Sequence, residues 1–312
     1  MTGSPLSLAG YVDLPPHVGK GGFDHAAVHA ASGHVYVAHT ANDAVDVFDP
    51  LRREFLYSIP DLPGVAGALV SDEGQLILSS NRAADTIGVF TPGREPVVRR
   101  LGVGVRPNGL AYDHRRKLVL AANVGDEATS GTHTVSMVWL GGDSVRREIA
   151  VPGRTRWTVF DPTTGLFYVN IAKPSQIIVI DARQPDRIAR TYAIAHAGAH
   201  GLDLDIETQR LFCACDAGVL VTLDARSGGV LDEKPLSGVP DVVWFNRQRQ
   251  QLYVAVGDPG VIDVFATSPV TRLETVETEG GAHTTALSPA GDWLCAFLPR
   301  SHRAVIYDIA SD

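Results

Sequence analysis

The sequence has few cysteines, no long apolar run and no excess of basic residues. Three cysteines in 312 residues do not make a disulfide framework, so we expect a cytoplasmic protein. No stretch is long enough to span a membrane, and the opening residues lack the basic and apolar regions of a signal peptide. The net charge of −8 disfavours contact with phosphate backbones. We therefore expect neither a nucleic acid nor a membrane as partner.

Several motifs of common enzyme classes are also missing. No glycine-rich phosphate loop follows a strand and opens a helix, which excludes nucleotide binding by that mechanism. No Gly-x-Ser-x-Gly elbow is present, which excludes the nucleophile of the α/β-hydrolases. Apolar residues nowhere recur with a convincing helical period, so the sequence predicts an all-β protein.

What the sequence does contain is a repeat of roughly 40 residues, the period of propeller blades. Each unit reads as four short strands that are rich in β-branched residues and separated by turn residues. The clearest segments pair a second with a third strand, as in HVYVAHTANDAVDVFDP and LFYVNIAKPSQIIVIDA. Seven such segments begin at His34, Gln75, Lys117, Leu166, Arg210, Gln251 and Trp293.

Seven four-stranded units predict a seven-bladed β-propeller that forms a single domain over residues 1–312. The last unit ends at VIYDIASD and lacks a fourth strand. The N-terminal segment LSLAGYVDL matches the fourth-strand pattern of other units, such as REFLYSIPDL. We therefore predict that the N-terminal strand completes the last blade and closes the ring.

Three segments carry a resemblance to a known family: IIVIDARQPDRIARTYAI, AVDVFDPLRREFLYSI and RPNGLAYDHRRKLVLAANVG. With them, nearly the whole chain resembles the bacterial YVTN-type β-propeller family, which implies the fold and leaves the function open. The short run RPNGL around Asn108 is similar to the Pro-Asn-Gly segment of gluconolactonase-type propellers, where an asparagine helps to hold a divalent metal. The carboxylate-rich site of those lactonases is not reproduced here.

One position recurs at the head of each first strand, where the strand should border the central channel. It lies five residues before the end of the strand, as His200 lies before Asp205 and Asn108 before Asp113. Six of the seven residues in this slot are polar, although an interior strand should be apolar. A repeat fold brings equivalent positions together around one axis. The slot residues are His25, Ala66, Asn108, Arg156, His200, Asp241 and His283.

Four of these residues fall on consecutive blades and form a set of potential metal ligands: His200, Asp241, His283 and His25. Three imidazoles and a carboxylate favour a divalent transition metal, zinc first and then iron, manganese, copper or nickel. The alternative is a water-filled polar channel. Its histidines would then bond to each other, to Asp241 or to trapped water.

The remaining slot residues and one neighbour are candidates for catalysis. Arg156 suits a substrate carboxylate or an oxyanion, and its alternative role is an ion pair with Asp241 or Asp24. Asn108 would orient substrate or metal-bound water. Asp24 is a general base or a partner of a metal ligand, or else a solvated loop residue. Ala66 has only a small side chain, so its slot is either space for a ligand or unfilled space without a function.

The sequence therefore predicts a metal-dependent enzyme that acts on a small carboxylate- or carbonyl-bearing molecule at the central channel. Hydrolysis of a lactone or ester, or a lyase or isomerase step, fits such a site. An iron- or copper-dependent oxidoreductase is one alternative, since imidazole-rich sites serve that chemistry too. A non-catalytic propeller that binds a protein or peptide is the other.

Overall fold

A computed structural model describes residues 5–142 and 144–310. This part of the chain forms 28 β-strands in seven antiparallel sheets of four, which confirms the predicted seven-bladed propeller. The first strand, β1, is Leu6–Asp13. Blade one contains β2 (Phe23–Val28), β3 (Val35–His39), β4 (Ala44–Asp49) and β5 (Glu54–Ile59), with a short 3-10 helix at Thr40–Asn42.

Blades two to four follow the same order from the channel outwards. Blade two contains β6 (Val65–Ser71), β7 (Leu76–Asn81), β8 (Thr86–Phe90) and β9 (Arg99–Gly102). Blade three contains β10 (Pro107–Asp113), β11 (Leu118–Asn123), β12 (Thr134–Trp139) and β13 (Arg146–Ala150). Blade four contains β14 (Thr155–Asp161), β15 (Leu166–Ile171), β16 (Gln176–Asp181) and β17 (Arg190–Ala193).

Blades five to seven complete the ring. Blade five contains β18 (Ala199–Asp205), β19 (Arg210–Cys215), β20 (Val219–Asp224) and β21 (Val230–Pro235). Blade six contains β22 (Val239–Asn246), β23 (Gln251–Asp258), β24 (Val261–Thr267) and β25 (Val270–Glu277). Blade seven contains β26 (Thr285–Leu287), β27 (Trp293–Leu298) and β28 (Arg303–Ile309), and β1 is its fourth strand.

The hydrophobic core lies between neighbouring blades. Second strands are buried on both faces, because each sheet packs against a sheet on either side, and every residue of β11 is buried. Outer strands meet solvent, and four of the five residues of β13 are exposed. Tyr168 of blade four packs in one cluster with Leu202 and Cys213 of blade five. All three cysteines are buried and none forms a disulfide, which agrees with the absence of a disulfide framework expected from the sequence.

The N-terminal strand closes the ring, which confirms the prediction. β1 pairs antiparallel with β28, and Leu6 lies opposite Ile309. The side chain of Leu6 is 4% exposed and packs with Tyr307 and Ile309, whereas Leu8 on the same strand is 59% exposed. Closure therefore covers the outer edge of β28 with a strand from the other end of the chain.

A hydrogen-bonded chain of side chains holds the segment after β1 against blade one. Asp46 accepts a hydrogen bond from Ser58 and lies 2.6 Å from Nδ1 of His39. Nε2 of His39 lies 2.7 Å from Nδ1 of His17, which precedes β2. His39 and Asp46 are fully buried, and buried polar groups need hydrogen-bond partners. The contact between them satisfies the Nδ1 atom of His39 and the carboxylate of Asp46.

No helix in residues 5–142 and 144–310 is long and apolar enough to cross a membrane.

Leu6→Ala tests ring closure against Leu8→Ala on the same strand. We expect Leu6→Ala to lower the free energy of unfolding by about 2–4 kcal/mol, because it leaves a cavity in the last blade. Leu8→Ala should change it by less than about 0.5 kcal/mol, since Leu8 is exposed. Urea unfolding followed by circular dichroism measures both. Equal losses in the two variants would contradict this account of closure.

Candidate functional site

The polar slot lies at a break in the hydrogen-bond ladder between the first and second strands. In β18, the pairing with β19 shifts between Ala199 and Gly201, which leaves His200 at the bulge. Five other blades carry the shift at the same slot, including those of Ala66 and Arg156. In the seventh blade His283 lies two residues before Thr285, where the pairing of the first strand begins. A bulge redirects a side chain out of the sheet, so polar residues are tolerated here.

The bulges bring three predicted metal ligands into one hydrogen-bonded chain. Nδ1 of His200 lies 2.7 Å from Oδ1 of Asp216, and Nε2 of His200 lies 3.2 Å from Oδ1 of Asp241. The other oxygen of Asp241, Oδ2, lies 2.9 Å from Nδ1 of His283. Two carboxylates and two imidazoles thus alternate across blades five, six and seven.

The electrostatics of this chain follow from burial and from the alternation of charges. Burial lowers the pKa of His200, but Asp241 and Asp216 outweigh it and raise this pKa to about 9. Burial likewise opposes the charged form of Asp241, yet His200 and His283 hold its pKa well below the ordinary value. Asp241 in turn raises the pKa of His283 against the effect of burial. The alternation of charges therefore favours the charged forms of His200, Asp241 and His283.

His25, the fourth predicted ligand, lies in a different environment. Burial lowers its pKa, and Asp24 and Asp241 offset this only in part. Its Nε2 lies 3.4 Å from Oδ1 of Asp24. Its ring contacts that of Trp157, with 4.1 Å between centroids, although the two belong to blades one and four. Trp157 therefore reaches across the channel and forms a floor under the polar mouth.

The other side of the mouth is built around Arg82, which sequence analysis did not single out. Its Nη1 lies 3.2 Å from Oδ2 of Asp24 on blade one, and its Nη2 donates to Oδ1 of Asn108 on blade three. It thereby bridges the two blades that flank its own. The slot of that second blade holds Ala66, which is fully buried and so leaves no open space at this position.

Arg156 lies beside the imidazole chain and forms an ion pair with a residue that sequence analysis did not consider. Its Nη2 is 3.5 Å from Oδ2 of Asp216, and its Nη1 is 3.2 Å from Nε2 of His200. The alternatives considered for it, Asp241 and Asp24, are not its ion-pair partners. Asp216 therefore orients both His200 and Arg156.

Arg82 and Asp216, which the sequence analysis did not identify, occupy the same position of the repeat. Arg82 directly follows β7, and Asp216 directly follows β19, so both occupy the first position after a second strand. That column holds uncharged residues after several other second strands, including Thr40 and Val124. Aligning the ends of the second strands as well as the first strands would have revealed both residues.

The fit of the site to a metal ion is partial. Within residues 5–142 and 144–310, no group of three or more His, Cys, Asp or Glu side chains is arranged to hold a metal. Nε2 of His200 and Nδ1 of His283 do meet at Asp241, and Asp216 engages the other nitrogen of His200. A carboxylate on the far nitrogen is typical of imidazole ligands. The metal remains a prediction.

Behind the floor, the channel contains a cavity of about 630 Å³. Its walls are mainly apolar side chains of the inner strands, and His25, Trp157 and Trp244 line it at the end towards the mouth. The rings of Trp157 and Trp244 meet edge to face at 6.3 Å. Three acidic residues, Glu73, Asp113 and Asp203, also line this cavity. The polar mouth and the apolar channel are thus distinct environments on either side of one aromatic layer.

Asp203 links two blades through the backbone. Its Oδ1 accepts a hydrogen bond from the N–H of Leu204 at 2.8 Å, and its Oδ2 accepts one from the N–H of Phe245 on blade six at 2.6 Å. Burial in the apolar wall nevertheless raises its pKa to about 7. The folded protein therefore holds this proton more tightly than the unfolded chain does, where the carboxyl pKa is 3.8.

Asp203→Asn should flatten part of the pH dependence of stability. In the wild type, the ionised form of Asp203 disfavours the folded state, because burial opposes its charge. The free energy of unfolding therefore falls as pH rises from about 4 to above 7. We expect this residue to raise the unfolding equilibrium constant at least about tenfold over that range, since one pKa unit is a tenfold factor.

Chemical denaturation at pH 4, 6 and 8 measures the effect in Asp203→Asn, with the exposed Asp186→Asn as the control. The control should keep the wild-type slope with pH. A wild-type slope in Asp203→Asn as well would contradict the assignment of the raised pKa to Asp203.

Comparison with known proteins supports the fold alone. No family model and no curated protein matches the sequence, so the YVTN and gluconolactonase resemblances gain no support. A chain in the crystal structure of the mitotic checkpoint complex is similar, with TM-score 0.82 and 11% identity over 98% of this chain and 92% of that one. A hydrazine synthase chain of Kuenenia stuttgartiensis has TM-score 0.80 and 15% identity over 100% and 99%.

Proposed function

We propose that the channel mouth is the active site of an enzyme that acts on a small molecule bearing a carboxylate or carbonyl group. The observation that supports this is the hydrogen-bonded chain Asp216–His200–Asp241–His283. Arg156 lies beside the end of the chain formed by Asp216 and His200. Titratable groups in mutual hydrogen bonds, next to a cation that binds anions, are the parts of an acid–base site. Lactone or ester hydrolysis, or a lyase or isomerase step, fits these parts.

A divalent transition metal belongs to this proposal, zinc before iron, manganese, copper or nickel. Its ligands would be Nε2 of His200, Nδ1 of His283, the carboxylate of Asp241 and His25. When bound, it would supply a Lewis acid that polarises a carbonyl oxygen or lowers the pKa of water. Asp216 would fix the ring of His200 in the orientation that a ligand requires.

The chain's own residues bind and orient the substrate in this proposal. Arg156 binds the carboxylate, because its planar fork matches two oxygens. Asn108 has its amide oxygen bonded by Arg82, so its N–H₂ donates to a substrate oxygen. Asp24, paired with Arg82 and near His25, accepts a proton. Trp157 keeps the reacting group at the mouth and out of the apolar channel.

A metal-free version of the same chemistry is favoured by one contact. Nη1 of Arg156 lies 3.2 Å from Nε2 of His200, the atom that would face a metal. A second cation so close opposes a metal ion by direct repulsion. As an imidazolium, His200 would then donate from Nδ1 to Asp216 and from Nε2 to Asp241, and it would deliver the Nε2 proton to the substrate. The three unpaired cysteines are consistent with a cytoplasmic enzyme in either version.

Metal content distinguishes the two versions. We expect near-stoichiometric metal in untagged wild-type protein, and less than about a tenth of it in His200→Ala and in Asp216→Asn, because loss of a ligand or of its carboxylate partner weakens binding. His34→Ala, which removes a histidine in the turn between β2 and β3, is the control and should retain the metal. Elemental analysis by mass spectrometry measures all four proteins.

No metal in the wild type after incubation with zinc, iron, manganese and copper would reject the metal-dependent version. Turnover of a panel of lactones, esters and hydroxy acids is then measured with and without metal. Turnover without metal that Arg156→Gln abolishes would establish the metal-free version. No turnover under any condition would reject the enzyme and favour the scaffold that binds a protein or peptide.

A further inference from the structure

Four arginines gather on one side of the mouth, on blades two, three and four. Arg82 follows the second strand of its blade, and Arg156 occupies the slot of blade four. Arg106 and Arg154 occupy equivalent positions on adjacent blades, each two residues before the slot. The sequence predicted a role for only one of these four arginines. Together they concentrate positive charge in a chain whose net charge is −8.

The arginines are only partly neutralised. Arg82 pairs with Asp24, and Arg156 pairs with Asp216. Arg154 is partly buried, yet its guanidinium makes no hydrogen bond or ion pair with any of residues 5–142 and 144–310. The Nε atoms of Arg82, Arg154 and Arg156 are all buried without an acceptor. Buried donors of this kind are commonly satisfied by an ordered water or a bound ion.

The charges within the arginine cluster also favour the binding of an anion. Burial lowers the pKa of Arg154, and Arg156, Arg82 and Arg106 lower it further. The charge of Glu127 acts in the opposite direction and has the smallest effect of these groups. The three arginines that lower this pKa belong to the same blades two to four as Arg154 itself. An anion placed among them would remove the repulsion and gain several charged hydrogen bonds.

We propose that this arginine cluster binds a second anionic group of the substrate, so that the mouth takes a small dianion such as a dicarboxylate. One carboxylate lies at Arg156 beside the imidazole chain. The other lies between Arg82 and Arg154. This inference rests on the proposed function and narrows its substrate class from one anionic group to two.

Several features of the mouth support two anionic positions rather than one. Arg156 is held beside His200 by Asp216, whereas Arg82 is held towards blades one and three by Asp24 and Asn108. The two guanidinium groups are therefore anchored to different sides. Arg154 has no such anchor among the described residues, so its fork is available to an incoming group. A planar fork binds carboxylate and phosphate oxygens alike.

Binding of plain anions tests the proposal without turnover. Isothermal titration calorimetry on metal-stripped protein compares malonate, succinate and glutarate with acetate as the single-carboxylate probe. Inorganic phosphate distinguishes a phosphate site from a dicarboxylate site. The variants are Arg154→Gln and Arg82→Gln, with Arg154→Lys to retain the charge. Arg187→Gln, an exposed arginine on an outer turn, is the matched control, and circular dichroism verifies that each variant folds.

We expect one of the dicarboxylates to bind at least about tenfold more tightly than acetate, with an affinity that falls as salt rises. Arg154→Gln and Arg82→Gln should each weaken the dicarboxylate about tenfold or more and leave acetate within about twofold. Arg154→Lys should weaken it less than Arg154→Gln does, and Arg187→Gln should match the wild type.

Equal affinities for acetate and every dicarboxylate, or no effect of Arg154→Gln, would overturn the proposal. Phosphate that binds more tightly than any dicarboxylate would also overturn it in favour of a single phosphate site. These outcomes are separable from failure of the proposed function. A protein that turns over monocarboxylates but does not discriminate dicarboxylates loses only this inference. One that binds dicarboxylates but turns nothing over loses the enzyme proposal.

Discussion

A break in one ladder of hydrogen bonds is the constraint on which the site depends. Between the first and second strands of six blades, the pairing shifts at the slot residue. Without the bulge, a side chain such as that of His200 would alternate into the packed interface between blades. An unpaired charge there would be expensive. With the bulge, the ring delivers its polar side chains to the mouth while the core remains apolar.

The mouth is stable because its charges neutralise each other in sequence around the ring. Asp216, His200, Asp241 and His283 alternate in sign over three blades, so each partly buried charge has an opposite neighbour. Such pairs offset the cost of burial only where the geometry is good. Blades two to four lack this balance, because the four arginines at the mouth form ion pairs with only two carboxylates among the described residues, Asp24 and Asp216. This asymmetry supports a site for anions at the mouth.

The aromatic layer separates this polar mouth from the channel. Trp157 reaches from blade four to His25 on blade one, a contact across the full ring. Beyond it the walls are mainly apolar, and burial there raises the pKa of the Asp203 carboxyl. The layer therefore separates the ion pairs at the mouth from a cavity whose lining is mainly apolar.

The sequence alone determined the repeat, the seven blades, the closure by the N-terminal strand and the column of slot residues, because strand periodicity and turn residues are local. It did not reveal Asp216 or Arg82, whose roles depend on contacts between neighbouring blades. Nor could it show that Arg156 pairs with Asp216. Only the tertiary structure decided which charges meet, because the ring brings together residues tens of positions apart. The same packing left Arg154 without a partner among the described residues.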